Sequence, residues 1–282
     1  MAAYEALWKN NTVSFKKMAE LFAEHPGQRP SDLVSEELIN TFTTYLKEIL
    51  ESEETVNTNV LMNCTYEYPQ KLRDAQYPVE MLYYQGNLDL IYNRSVAIVG
   101  TRNPTKEGLT RTAQLVKHLV KDNITVVSGL AKGIDTQAHT TAIENGGQTI
   151  AVIGTPLNEA YPKENKDLQK KIAENHLLIS QIPFWRYKQQ NYKLNRFFFP
   201  ERNKTMSALT DATVIIEAGE TSGTLIQAQA AIYQKRPLFI LESCFQNKSI
   251  SWPAKFEKEG AIRVKSYDDI RKALNLGAAA TS

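Results

Sequence analysis

The sequence predicts an α/β fold, a doubly wound and mostly parallel sheet behind a small N-terminal helical domain. Three observations predict it. In residues 95–135 an apolar run, 96–99, breaks at Gly100 into a polar turn. A helix-spaced set follows (Leu109, Leu115, Val116, Leu119, Val120), and a second apolar run, 124–127, ends at Ser128-Gly129. Strand, glycine turn, helix, strand is a βαβ unit of a parallel sheet. The alternation then continues down the chain, which argues for a doubly wound sheet. Residues 1–62, by contrast, carry only helical periodicity.

Taken in order, Tyr4, Leu7 and Trp8, then Phe15, Met18, Ala19 and Phe22, fit apolar faces of short helices. A break at 25–30 precedes a further amphipathic helix carrying Leu38, Ile39, Phe42, Leu46, Ile49 and Leu50. Acidic 51–54 suits a solvated end or linker, so residues 1–62 read as a small helical domain. Residues 66–93 are an aromatic-rich lead-in in which Pro69 and Pro78 fix turns and 81–84 suits a strand at one sheet edge. Strands are expected near 96–99, 124–127, 149–153, 177–180, 212–217, 237–241 and 261–264. Helices are expected near 106–121, 133–145, 164–174, 200–210, 221–234 and 267–274. Residues 63–276 thus form the α/β domain, and 277–282, too small and polar to pack, a disordered tail.

Composition narrows the function. The 42% hydrophobic content of 282 residues fills a core, and no window reaches a transmembrane run. The start is polar and shows no export segment, so a cytoplasmic protein without a membrane partner is expected. Cys64 and Cys244 are too few for a metal cluster, and no motif calls for a cofactor. A net charge of +2 is too small to draw nucleic acid by itself; any such binding needs a local basic patch.

Open α/β sheets place ligands at strand carboxyl ends, and the chemistry-bearing turns fall there. Gly100-Thr101-Arg102-Asn103 combines a glycine that admits close approach with a planar guanidinium fork for phosphate oxygens. A tight turn with a solvated arginine fits it equally. It lacks the full GxGxxG spacing and an acidic ribose clamp, which argues against a dinucleotide site. In residues 128–135, Ser128, Gly129 and Gly133 bracket Lys132 at a strand-to-helix junction, a second anion cradle. Asp135 there suits a helix cap, and a lone His139 one turn on is read as structural. Residues 161–165 add Lys163, with Asn165 at a helix start.

The least usual composition is Phe197-Phe198-Phe199-Pro200-Glu201-Arg202-Asn203-Lys204, preceded by Lys188, Lys193 and Arg196. Cations interleaved with aromatics suit single-stranded nucleic acid, although at least one of three consecutive phenylalanines must be core. Ser222-Gly223-Thr224 opens another helix after Glu217 and Glu220, which read either as acid/base carboxylates or as cap and first-turn charges. The convergence of these turns on one sheet edge points to a phosphate-rich ligand.

The pieces 68–72, 82–88, 96–105, 126–139, 146–155, 161–165 and 199–203 resemble, in order, the bacterial DNA-processing protein A family (DprA, also called Smf). The resemblance covers roughly residues 66–240. It implies a Rossmann-like domain that binds single-stranded DNA without chemistry, in a dimer that helps load RecA recombinase during DNA uptake by transformation. It also implies that Arg102, Lys163, Arg202 and the 128–135 turn form the DNA-phosphate site. The sequence departs from the family pattern at Lys204, where an arginine is usual, at Gln181, at Gln227 and at 241–244. The family it resembles places its dimer and RecA contacts largely toward that last stretch. The competing reading is a nucleotide sensor or nucleoside monophosphate phosphoribohydrolase of the same superfamily, with Glu220 as its carboxylate. The 218–224 turn lacks the paired glycines of those enzymes.

Overall fold

The computed structural model describes residues 1–276; the tail expected at 277–282 lies outside the described residues. The described strands are β1 (Asn59–Met62), β2 (Met81–Gly86), β3 (Ser95–Val99), β4 (Thr125–Ser128), β5 (Thr149–Ile153), β6 (Leu177–Ser180), β7 (Ala212–Ile215), β8 (Leu238–Leu241) and β9 (Ile262–Val264). They form one sheet in the order β1-β2-β6-β5-β4-β3-β7-β8-β9. Every pair from β6 across to β9 is parallel, while β2 runs antiparallel to β6 and β1 to β2. The fold is α/β and Rossmann-like. The chain winds outward from β3 to β6 on one side and from β7 to β9 on the other. The order therefore reverses between β3 and β7, which opens a crevice at their carboxyl ends.

Alternation along each strand divides the core between two faces. Val96 and Ile98 meet Leu115, Val116 and Leu119 of the helix Lys106–Lys121. Ala97 and Val99 join the other layer with Met206 and Leu209 of the helix Phe198–Leu209. All five positions of β3 and of β5 are buried, as strands covered on both faces must be. Each such large side chain contributes about 1.5–3 kcal/mol on leaving water. The helix Lys106–Lys121 starts where Thr105 Oγ1 accepts from the Gly108 amide at 2.9 Å.

The N-terminal part holds helices Ala2–Leu7, Phe15–Glu24 and Glu36–Leu50, the last two capped by Ser14 and Ser35. Tyr4, Trp8, Phe15, Met18 and Leu46 belong to the same apolar cluster as β2, β5 and β6, so these helices share the core of the sheet. Glu5 ties them to it: its buried carboxylate accepts from the Phe184 and Trp185 amides at 2.9 Å each and from the Tyr83 hydroxyl. Two sequence expectations change. Residues 59–62, counted with the helices, form β1, because Leu61 buries against β2 in an antiparallel pair. With β1 outside it, β2 is no edge strand. The short helices Phe184–Gln189, Tyr192–Asn195, Glu242–Gln246 and Trp252–Lys258 were also not expected. Among the described residues no helix is long and apolar enough to cross a membrane.

Candidate functional site

The crevice between β3 and β7 is a cleft of about 500 Å³. Of the residues singled out in the sequence, Gly100, Thr101, Arg102, Arg202, Asn203, Ser222, Gly223 and Thr224 line it together. Arg196, Tyr161, Phe199 and Asp135 line it too. Its charged groups are thus Arg102, Arg196 and Arg202 against Asp135, a net of two positive charges.

The walls are two turns pressed backbone to backbone. The Thr101 amide donates to the Glu217 carbonyl at 2.7 Å, and the Ile134 amide to the Thr101 carbonyl at 3.3 Å. Gly100 has no room for a side chain, since a Cβ would lie 2.6 Å from Ile134 Cγ1. Gly133 adopts φ +80°, and a Cβ there would meet the carbonyls of Thr101 and Arg102 within 2.8 Å. Opposite, the Thr224 hydroxyl donates to the Gly100 carbonyl at 3.3 Å, and Asn203 Nδ2 to the Gly223 carbonyl at 3.1 Å. Ser222 Oγ accepts from the Thr224 amide at 3.2 Å, at the start of the helix Thr224–Tyr233.

Arg102 is exposed, and its guanidinium carbon stands 5.7 Å from the Tyr161 ring centroid and 5.6 Å from that of Phe199. The two rings lie 5.3 Å apart and tilted, and Phe199 is pinned because a Cβ on Gly154 would come within 2.5 Å of it. Such a cation–π cradle is worth about 0.5–1 kcal/mol at an exposed site, and it orients the fork without using its donors on a carboxylate. The hydrogen bond from Tyr192, then the Arg102 charge, draws the Tyr161 phenol below its ordinary pKa.

Arg202 is different. It is only 4% exposed, and Nη1 donates to the carbonyls of Gly129 and Val152 at 2.6 and 2.5 Å, joining the ends of β4 and β5. Burial lowers its pKa to about 10, against the pull of Asp135, so it stays charged at neutral pH. It lends positive field to the cleft and holds its floor; it is not an open phosphate fork. Asp135 accepts from the amides of Gly129 and Ala131 at 3.2 and 3.3 Å. The cradle expected at 128–135 therefore already holds an anion of its own. Burial raises the Asp135 carboxyl to about 6, Arg202 opposing.

The structure does not bring the remaining expected residues into the cleft. Ser128 Oγ is buried on the Ile98 carbonyl at 2.7 Å. Gly129 and Gly133 are packed into the scaffold. Lys132 pairs with Glu164 at 2.7 Å. Asn165 is buried, donating to the Leu130 carbonyl and Thr136 hydroxyl at 2.9 Å each. Lys163 lines a separate groove beside Glu53 and Glu54. Lys204 pairs with Glu201 at 2.7 Å and faces another groove, on the Trp252 side. Glu217 takes the Thr105 hydroxyl at 2.8 Å, and Glu220 takes the Ser251 amide at 2.7 Å, so both carboxylates act as caps. His139 Nδ1 lies 2.7 Å from Thr149 Oγ1, and burial lowers its pKa to about 3, which keeps it neutral. Arg196 and Tyr161 were missed as cleft residues, though the basic stretch ahead of 197–199 was the signal for the first.

Comparison with known proteins decides the family. The model of the DNA recombination-mediator protein A family matches residues 59–275, beginning at β1. The chain belongs to that family. It is 37% identical to DNA processing protein DprA of Streptococcus pneumoniae over 212 residues, 75% of this chain and 72% of that protein. Against DNA processing protein DprA of Bacillus subtilis the identity is 31% over 237 residues, 84% of this chain and 78% of that protein. The X-ray structure of the pneumococcal protein superposes with a TM-score of 0.75 at 29% identity, over 96% of this chain and 97% of that one. A structure of DNA processing protein A from Helicobacter pylori, concerned with its single-stranded DNA binding mode, gives 0.65 at 29% identity, over 77% and 95%. Likeness to a DprA structure over nearly the whole chain makes a DNA-processing role the coarse function of this family member.

Proposed function

We propose that this protein grips single-stranded DNA by its phosphates in the Arg102 cleft, protects the strand, and as a homodimer helps load a RecA-type recombinase on it in the cytoplasm, without chemistry of its own. The observation that carries the reading is the exposed Arg102 fork, held over Tyr161 and Phe199 with Arg196 on the same cleft and the helix start at Ser222-Gly223-Thr224 facing it. A fixed guanidinium beside a helix N-terminus suits successive phosphates of a flexible strand. The Helicobacter relative's single-stranded DNA binding mode agrees with it. The capping roles of Glu217 and Glu220 support a binder over a nucleotide-cleaving enzyme, since neither carboxylate is poised in the cleft as a free base.

Titration of labelled oligonucleotides of several sequences tests this. Arg102→Ala should weaken binding roughly tenfold, and alike for every sequence, as expected for one charge-assisted phosphate contact. Unchanged affinity in that variant overturns the assignment of the cleft.

A further inference from the structure

Three consecutive phenylalanines meet three different fates. Phe198 is 7% exposed and packs edge-on to Phe15 at 6.2 Å. Phe199 lies beneath Arg102. Phe197 is 70% exposed, and on the short helix just before it Tyr192 is 62% exposed. These rings are not on a loose tip. Asn191 Oδ1 caps the turn by accepting from the Leu194 amide at 3.1 Å, and buried Asn195 anchors it by donating to the Tyr187 carbonyl at 3.0 Å. The Phe197 amide itself bonds back to the Leu194 carbonyl at 3.0 Å. A rigid turn that keeps a phenylalanine in water does not serve the core, because that ring would gain stability by burial.

The turn is joined to the cleft. Tyr192 lies close enough to Tyr161 to draw its phenol below the ordinary pKa, and Arg102 sits over the Tyr161 ring. Arg196, next to Phe197, lines the cleft, and Lys193 follows Tyr192. Rings and cations therefore alternate outward from the phosphate grip.

We infer that Phe197 and Tyr192 form a stacking platform for unpaired nucleobases at the mouth of the Arg102 cleft, and that this platform makes the protein prefer single strands. Every base offers a π-face, whereas in a duplex those faces are already stacked on neighbours. The interleaved charges favour a strand over a second copy of the chain, since the buried centre of a protein–protein patch is depleted of lysine. This inference rests on the proposed phosphate grip and adds base recognition to it.

The test compares an oligothymidylate with an abasic sugar-phosphate oligomer of equal length, by anisotropy, for the full chain and its variants. Phe197→Ala should lose roughly five- to a hundredfold on the oligothymidylate and nothing on the abasic strand, with Phe197→Trp restoring binding. Tyr192→Ala should lose in the same selective way. Arg102→Ala should weaken both ligands. Equal losses on both strands for Phe197→Ala, no loss on either, or failure of tryptophan to rescue overturns the platform. A dimer-to-monomer change in light scattering for Phe197→Ala with oligothymidylate affinity intact also overturns it, by giving the ring to a second copy. If Arg102→Ala leaves both affinities unchanged, the underlying phosphate reading fails instead.

Discussion

Asp135 and Arg202 show how two buried charges can serve one cleft in opposite ways. Arg202 braces two strand ends, and Asp135 occupies the loop amides that a ligand anion would otherwise take. Because burial raises the Asp135 carboxyl to about 6, the folded chain holds that proton more tightly than the unfolded chain does. Stability from this group is therefore present in acid and is lost as pH rises through about 6. The same titration changes the ligand site: below about 6 the cleft loses its carboxylate charge and keeps three arginines. Oligonucleotide affinity should tighten as pH falls from 7.5 to 5, by roughly two- to fivefold for one nearby charge. In Asp135→Asn that pH dependence should flatten, which the same titration at each pH reads directly. His139 adds nothing to the effect, since burial keeps it neutral throughout that range.

At the scale of elements, the site exists because two turns share one set of backbone contacts. Gly133 is doubly constrained, with φ +80° and three neighbours closer than 3 Å to the place of a Cβ, two of them backbone carbonyls. Gly133→Ala should cost at least about 1–3 kcal/mol from backbone strain alone, lowering Tm by roughly 2–4 °C per kcal/mol in thermal unfolding. An unshifted Tm would mean the turn has slack that the contacts deny. These βα turns were legible in the sequence because strand, glycine and helix period fall in register; the helix Lys106–Lys121 ends where its apolar face and Thr105 cap put it. β1 was not legible, since four residues following a helical stretch carry no period of their own and become a strand only by pairing with β2. Nor could the sequence tell which cations are open. Lys132, Lys204 and Lys163 are set aside by Glu164, by Glu201 and by a different groove, all facts of tertiary contact. The fates of Phe197, Phe198 and Phe199 were equally hidden, because a one-residue step in a helix start turns each ring by about 100°.

Over the whole molecule the formal charge is only +2, and Lys132 and Lys204 are each paired with a carboxylate. Beyond Lys132 and Lys204, Lys166 pairs with Glu54 at 3.5 Å and Lys170 with Glu53 at 2.8 Å, so the N-terminal part neutralises the far rim. These exposed pairs are each worth little in stability, about 0–1 kcal/mol, but they offset rim lysines, while the cations lining the cleft itself are arginines. The same N-terminal part is locked to the sheet through Glu5 and a shared core, although the family match starts only at residue 59. The cleft therefore stands on a scaffold built from both. The proposed grip requires Arg102 and Arg196, which line the cleft together, to replace the counterions of two phosphates. The most direct measurement is the slope of log affinity against log salt for a single-stranded oligonucleotide, in the wild-type chain and in Arg102→Ala/Arg196→Ala. The slope of the double variant should be shallower by about 1.4, two contacts at about 0.7 each for a single strand. An identical slope in the two proteins would contradict the arginine grip.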